Sequence, residues 1–215
     1  MKKPERVLRY YILCNKLKNI IRTGWLNWHV EAERVESIAE HIFGVQMLAL
    51  AMYSEYNYKK LDIQKVIMML AVHELEEIVI GDLTMFQITH EEKEQLGHEA
   101  IKEILKGLLK GEEIQALILE FDERKTKEAK FAYYCDKLEC DIQAKLYGEK
   151  GLVDLNNQKD NITMNNKDVQ ELLKSGKTWE EMWLIFGQQR YNYDKHFLEV
   201  SNYALNNDIS KLGSL

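Results

Sequence analysis

The order of apolar and polar positions along this chain predicts helices almost throughout. From Glu36 onward, Ile38, Ile42, Val45, Leu48, Ala49 and Met52 recur at steps of three and four residues, which places them on one face of an α-helix. Val66 to Val72 is an unbroken apolar run, predicting a helix at the centre of a core, with Asp62 as its cap and Gly81-Asp82 as its end. Thr89 and Glu92 have capping-box spacing and open a helix through Leu96, Ala100, Ile104 and Leu108. Glu112 to Phe121 predicts a short helix. From Glu128 a long one follows, its inward stripe Ala129, Ala132, Tyr133, Asp136, Cys140, Gln143 and Ala144. Near the amino terminus, Pro4 suits the first turn of a helix running to about Arg22, with Val7, Tyr11, Cys14 and Leu17 on its stripe. A second capping box, Thr178 to Glu181, opens a last helix carrying Trp183, Phe186 and Tyr193 into the core or a subunit contact. Two stretches lose this periodicity. Arg22 to His29 reads as a loop, and so does the Asn-rich segment after Gly148, placed at the surface.

Composition sharpens this. A chain of 215 residues, 46% apolar and 30% charged, can bury a full core, and the expectation is a single domain over residues 1–215. A single proline favours long helices over a strand-rich fold. The formal net charge of −6 argues against a nucleic-acid polymer as partner, because duplex binders carry a basic excess. It leaves room for a small phosphorylated substrate, whose charge a metal and one or two arginines can meet. Cys14, Cys135 and Cys140 form no CxxC pair and read as reduced thiols of a cytoplasmic protein. The charged start Met-Lys-Lys-Pro-Glu-Arg leads into no apolar leader, and no stretch is long enough to cross a bilayer.

Several polar residues fall where the pattern calls for apolar ones. His41 lies on the stripe that begins at Ile38, and Asp136 on the stripe of the long helix. On a regular helix His73 and Glu77 are one turn apart on a face shared with Leu70, Met69 and Val66, with Glu74 about 100° round the axis. One histidine on an apolar face is more often a hydrogen-bonded core residue than a ligand; a second inward histidine shifts the balance. Buried carboxylates need compensation, and a divalent cation supplies it. Two imidazoles and two carboxylates suit Mn, Co, Fe, Ni or Zn. His90 and His98 fall off this pattern and read as structural or surface residues. Trp25 and Trp28, beside Arg22, either line a pocket or cover the core.

The order His41, His73-Glu74, Asp136 resembles the H…HD…D pattern of the HD-domain superfamily of metal-dependent phosphohydrolases. The likeness is closer to its 5'-deoxynucleotidase branch, carried by Arg22-Thr-Gly-Trp25, Arg34-Val-Glu-Ser-Ile-Ala-Glu-His41, His73-Glu-Leu-Glu-Glu77 with Gly81-Asp82, and Glu128-Ala-Lys-Phe with Asp136-Lys. These motifs lie within about residues 21–148, and a helical extension follows over about 167–206. The resemblance implies an all-α HD-domain helical bundle with a metal site in its core. It implies His41, His73, Glu74 and Asp136 as ligands of one divalent cation, Glu77 as the catalytic carboxylate and Asp82 as a second acid in the substrate pocket. Arg22 would bind phosphate, Trp25 would lie near the deoxyribose, and Arg34 joins the substrate-binding set. The reaction implied is metal-assisted hydrolysis of deoxyribonucleoside 5'-monophosphates, possible in a homodimer, with neither nucleic-acid polymer nor membrane as partner. Two features depart from the family. Glu74 replaces the aspartate of the HD dyad, and the spacer Trp28 to Glu33 is slightly longer. Glutamate reaches one methylene further, so it either ligates after a small shift or marks a member that has lost catalysis. Hydrolysis of another phosphoester or pyrophosphate, a non-catalytic metal- or nucleotide-binding module, and a metal-free bundle are the competing readings.

Overall fold

The computed structural model describes residues 1–84, 86–191 and 194–214, with only the backbone of His90, Arg190 and Tyr191. Its helices are α1 (Lys3–Cys14), α2 (Thr23–Asn27), α3 (Ile38–Glu55), α4 (Ile63–Leu70), α5 (Glu77–Ile80), α6 (His90–Leu105), α7 (Gly111–Glu123), α8 (Lys127–Glu149), α9 (Lys167–Lys174), α10 (Trp179–Tyr191) and α11 (Lys195–Asn206). Short 3-10 turns cover Asn15–Asn19 and Ile162–Asn165. The fold is all-α, as the periodicity predicts. Among the described residues extended pairing is confined to one antiparallel bridge, Ile21 with Ser37, and no helix is long and apolar enough to cross a membrane. Tyr193 and the side chain of His90, both given places by the sequence, lie outside what is described.

Two compact units divide the chain: Met1–Thr23 with Glu36–Tyr133, and Gly24–Val35 with Tyr134–Leu215. In the first, Ser37 and Glu40 form a capping box that starts α3, and Ile38, His41, Val45, Ala49 and Met52 form its buried stripe. Asp62 and Thr89 cap α4 and α6 as expected. Helix α1 departs from expectation in length and in face. It ends at Cys14 rather than near Arg22, and Val7 and Tyr11 of the predicted stripe are exposed. The inward side is turned toward Arg9, whose guanidinium donates to the carbonyls of Ile104 and Glu103 at 3.0 and 2.8 Å. Those carbonyls end α6 with no partner in their own helix, so an arginine takes the place an apolar side chain would have filled.

The predicted helix from Asp62 to Gly81 is interrupted. After Leu70 the backbone tightens: the amides of Val72, Leu75 and Glu77 bond to the carbonyls of Met69, Val72 and Glu74. This i→i+3 pattern winds three residues per turn instead of 3.6. Regular helix returns only as the single turn of α5, which ends at Gly81 with φ 74° and ψ 172°, a backbone conformation that glycine adopts without a Cβ penalty.

The second unit packs on Trp25, Trp28, Tyr147, Trp179 and Met182. The expected loop over Arg22–His29 contains the short helix α2. The Asn-rich segment is more built than a surface loop. Gln158 donates to the Trp28 carbonyl at 3.0 Å and accepts from Asn161 at 2.9 Å, both amide side chains being buried, and Asn166 caps α9. Thr178 and Glu181 cap α10 as predicted. Helix α8 starts in the first unit and runs on into the second.

Candidate metal centre

Three of the predicted ligands meet in the first unit. His41 comes from the middle of α3, fully buried by the stripe it belongs to. His73 and Glu74 come from the tight turns after α4. The Nε2 atoms of His41 and His73 lie 3.7 and 3.5 Å from one oxygen, Oε1 of Glu74, and the two rings are 5.6 Å apart between centroids. These separations exceed hydrogen-bond length. They match donors spread around a shared ion, since bonds of about 2.1 Å at a tetrahedral angle put ligand atoms about 3.4 Å apart.

The tautomer of His73 fits the same role. Its Nδ1 lies 2.8 Å from the Leu70 carbonyl, which can only accept, so the proton sits on Nδ1 and the lone pair on Nε2. A backbone carbonyl behind a ligating histidine fixes ring orientation and raises its basicity. Phe121 packs edge-on to the same ring at 5.1 Å. The donor set therefore suits a divalent cation. Glu74 contributes a carboxylate oxygen to it.

Around this point the first unit gathers acids and two cations. Arg22 Nη1 lies 3.9 Å from Glu74 Oε1. Arg22 is held there by backbone pairing, its amide donating to the Glu36 carbonyl at 3.0 Å beside the Ile21–Ser37 bridge. Asp82 follows Gly81, and its Oδ2 accepts the Thr23 amide at 2.6 Å. Glu77 is buried, with Oε1 3.1 Å from Lys93 Nζ and Oε2 in no hydrogen bond. Burial pushes the Glu77 carboxyl well above the usual carboxylate range; Glu74 and Asp82 push it further, against Lys93 and Arg22. Burial and the neighbouring Glu74 raise Glu76 to about 8. For Lys93 burial acts downward, but Glu74, Glu77, Glu76 and Asp82 outweigh it and raise the ammonium above its ordinary value. Carboxylates outnumber cations here, a balance that another positive charge relieves.

The remaining candidates belong to the second unit. Asp136 is buried on α8, its Oδ2 2.8 Å from Lys137 Nζ. Trp25 is 1% exposed, with ring centroids 5.2 Å from Trp183 and 5.4 Å from Tyr147. Trp28 is equally buried and packs on Trp179. Arg34 is exposed. His98, half-buried, pairs with Asp122 at 2.9 Å.

Lys93 and Glu76 escape the sequence reading. A signal for Lys93 existed, because it continues the buried face of α6 at helical steps from Gly97, Ala100 and Ile104, an odd position for a lysine without an acidic partner.

An all-helical chain whose buried histidines and glutamate close on one point has the architecture of a metal-binding hydrolase core. This chain belongs to the HD-domain family, whose model matches residues 14–177. It is 37% identical over 147 residues to the 5'-deoxynucleotidase HDDC2 of Dictyostelium discoideum, covering 65% of this chain and 76% of that one. It is 32% identical over 162 residues to the 5'-deoxynucleotidase hdd1 of Schizosaccharomyces pombe, covering 70% and 79%. The crystal structure of the PH0347 protein from Pyrococcus horikoshii has the same fold, with a TM-score of 0.66 over 92% of this chain and 98% of that one at 24% identity.

Proposed function

We propose that this protein is a metal-dependent phosphohydrolase releasing phosphate from deoxyribonucleoside 5'-monophosphates, with His41, His73, Glu74 and Asp136 holding one divalent cation. The observation that carries the reading is that the Nε2 atoms of His41 and His73 converge on one carboxylate oxygen, Oε1 of Glu74, at 3.7 and 3.5 Å. The 5'-deoxynucleotidase relatives support the substrate class.

In hydrolysis of such a monoester a water oxygen bonds to phosphorus, the bond from phosphorus to the 5' oxygen breaks, and the leaving 5' oxygen gains the proton that the acceptor took from the water. A bound divalent cation supplies Lewis acidity and makes a nearby water more acidic. Glu77 takes the water proton at Oε2, the oxygen that Lys93 leaves open. Arg22 meets the negative charge of the phosphoryl oxygens. Asp82, with Oδ2 engaged by the Thr23 amide, offers Oδ1 to the sugar. Trp25 forms the wall beside the deoxyribose, and Arg34 adds positive charge for the nucleotide.

The free thiols of Cys14, Cys135 and Cys140 suit the reducing cytoplasm. The exposed apolar side chains Val7, Leu8, Tyr11 and Ile12 of α1 suit a homodimer, which light scattering tests. The function itself is tested by elemental analysis of the purified protein together with phosphate release from mono-, di- and cyclic nucleotides. The reading requires one divalent ion per chain and release from deoxyribonucleoside 5'-monophosphates above all others. Inactivity across Mn, Co, Ni, Mg and Zn removes it.

A further inference from the structure

Lys93 is a lysine on the buried face of α6, and nothing in the motifs of the chain accounts for it. Its ammonium reaches out of that helix to two acceptors on the segment that carries the acids: Glu77 Oε1 and the Leu83 carbonyl, each at 3.1 Å. One acceptor lies before the turn at Gly81 and the other after it, so a single cation spans the turn that presents Asp82. Close approach of α6 makes the reach possible. Gly97, one helical turn after Lys93, has no side chain, and a Cβ there would lie 3.2 Å from Glu76 Cγ. Of the two oxygens of Glu77, Lys93 holds one, and the other is buried without a hydrogen bond.

We propose that Lys93 is a positioning residue of the reaction: it fixes Glu77 by Oε1, so that Oε2 takes the water proton, and it pins the Leu83 carbonyl so that Asp82 stays in place. The assignment rests on the phosphohydrolase reading above. The terminal torsion of a glutamate is broad and nearly two-fold, so an untethered Glu77 exchanges its oxygens and tilts its plane. A lysine is suited to the task because its three donors sit at one point and can serve acceptors from different directions. A hydrophobic replacement would keep the volume of the stem and lose both bonds.

The test compares the native protein with Lys93→Met, Lys93→Arg, Glu77→Gln and the Glu77→Gln/Lys93→Met pair, with metal content and Tm measured for each. Lys93→Met is expected to lower kcat by about 10- to 100-fold, the scale of a misplaced reacting group, with KM changed by less than about threefold and metal stoichiometry unchanged. Lys93→Arg, which keeps the charge and two donors, is expected to recover kcat to within about fivefold of native. Because Lys93 acts through Glu77, the pair should be no more than about twofold slower than Glu77→Gln alone, a non-additivity that a purely structural lysine would not produce. Lys93→Met retaining more than about half of the native kcat overturns the proposal, as does a pair whose losses multiply. Loss of metal or of folding in Lys93→Met, without recovery in Lys93→Arg, also overturns it and leaves a structural lysine. Inactivity of the native protein is a separate result, read before any variant: it removes the phosphohydrolase reading and the role of Lys93 with it.

Discussion

The Thr23 amide donates to Asp82 Oδ2 at 2.6 Å, joining residues 59 apart in the chain. Thr23 is the first residue of α2, where backbone amides lack helical acceptors, and Asp82 stands directly after the left-handed Gly81. The same bond brings the neighbour of Arg22 to the acid-rich turn, so the guanidinium and Asp82 are placed by one contact. Arg22 and Asp82, the residues proposed to meet the phosphate and the sugar, are thereby set relative to each other.

Glu77→Gln removes the proposed proton acceptor while keeping the shape of the side chain. Phosphate release should fall by ~100-fold or more, the usual scale for an acid–base group. Metal content and Tm should stay near native, checked by elemental analysis and calorimetry. Retention of most of the activity would exclude Glu77 as the base.

At Glu74 the chain parts from the family's aspartate, and the variants there report on reach as well as charge. Glu74→Ala, His41→Ala and Asp136→Ala should each lose the ion and the activity together. They should also lose the stabilisation by metal linkage, about 2.7 kcal/mol when the ion is present at 100 times its Kd. Glu74→Asp should bind metal more weakly, because its oxygen falls roughly 1 Å short in a site held to a few tenths of that. A native protein without metal, gaining both metal and turnover as the aspartate variant, would reverse the proposed function.

Trp25→Ala should destabilise the protein by about 3–5 kcal/mol, the range for truncating a buried aromatic, since its ring is enclosed by Trp183, Tyr147 and Trp179. Denaturant midpoints measure this. Variants that stay folded at low temperature should also discriminate less between deoxyribo- and ribonucleotides if the ring forms the sugar wall. Equal native rates on both sugars would end that role.

Cys14 supplies a pH-dependent signature remote from the acids. Burial raises its thiol above the usual cysteine range, against a lowering hydrogen bond from Tyr10. A raised folded pKa means that the native state holds the thiol proton more tightly than the unfolded chain does. The resulting stability is complete below the unfolded thiol pKa and is lost as pH rises through the folded one. Iodoacetamide labelling of Cys14, followed by mass spectrometry from pH 7 to 10, should therefore have its midpoint at higher pH in the native protein than in urea. Coincident midpoints would show that the thiol is not shielded.

The helices legible in the sequence are those whose apolar period and caps agree. For α6 and α10 the pattern and the Thr-x-x-Glu boxes give the same start, and Asp136 stands out on α8 because it shares a stripe with the buried Ala129, Ala132, Cys140 and Ala144. The break after Leu70 was hidden, because an unbroken apolar run looks alike whether it winds at 3.6 or at three residues per turn. Arg9 and Lys93 were hidden for a different reason. Each takes an inward place through acceptors far along the chain, Glu103 and Ile104 for one and Glu77 and Leu83 for the other, and no local spacing encodes such partners.

The tight winding between Ala71 and Glu77 makes residue count there as binding as residue identity. At three residues per turn, removing or adding one residue rotates everything beyond it by about 120°. A one-residue insertion ahead of His73 would thus aim the imidazole where Glu74 now points, with every side chain chemically intact. A scan of single-codon insertions and deletions along the chain should find residues 71–77 among its least forgiving positions, even though substitutions at Ala71, which is exposed, pass unnoticed.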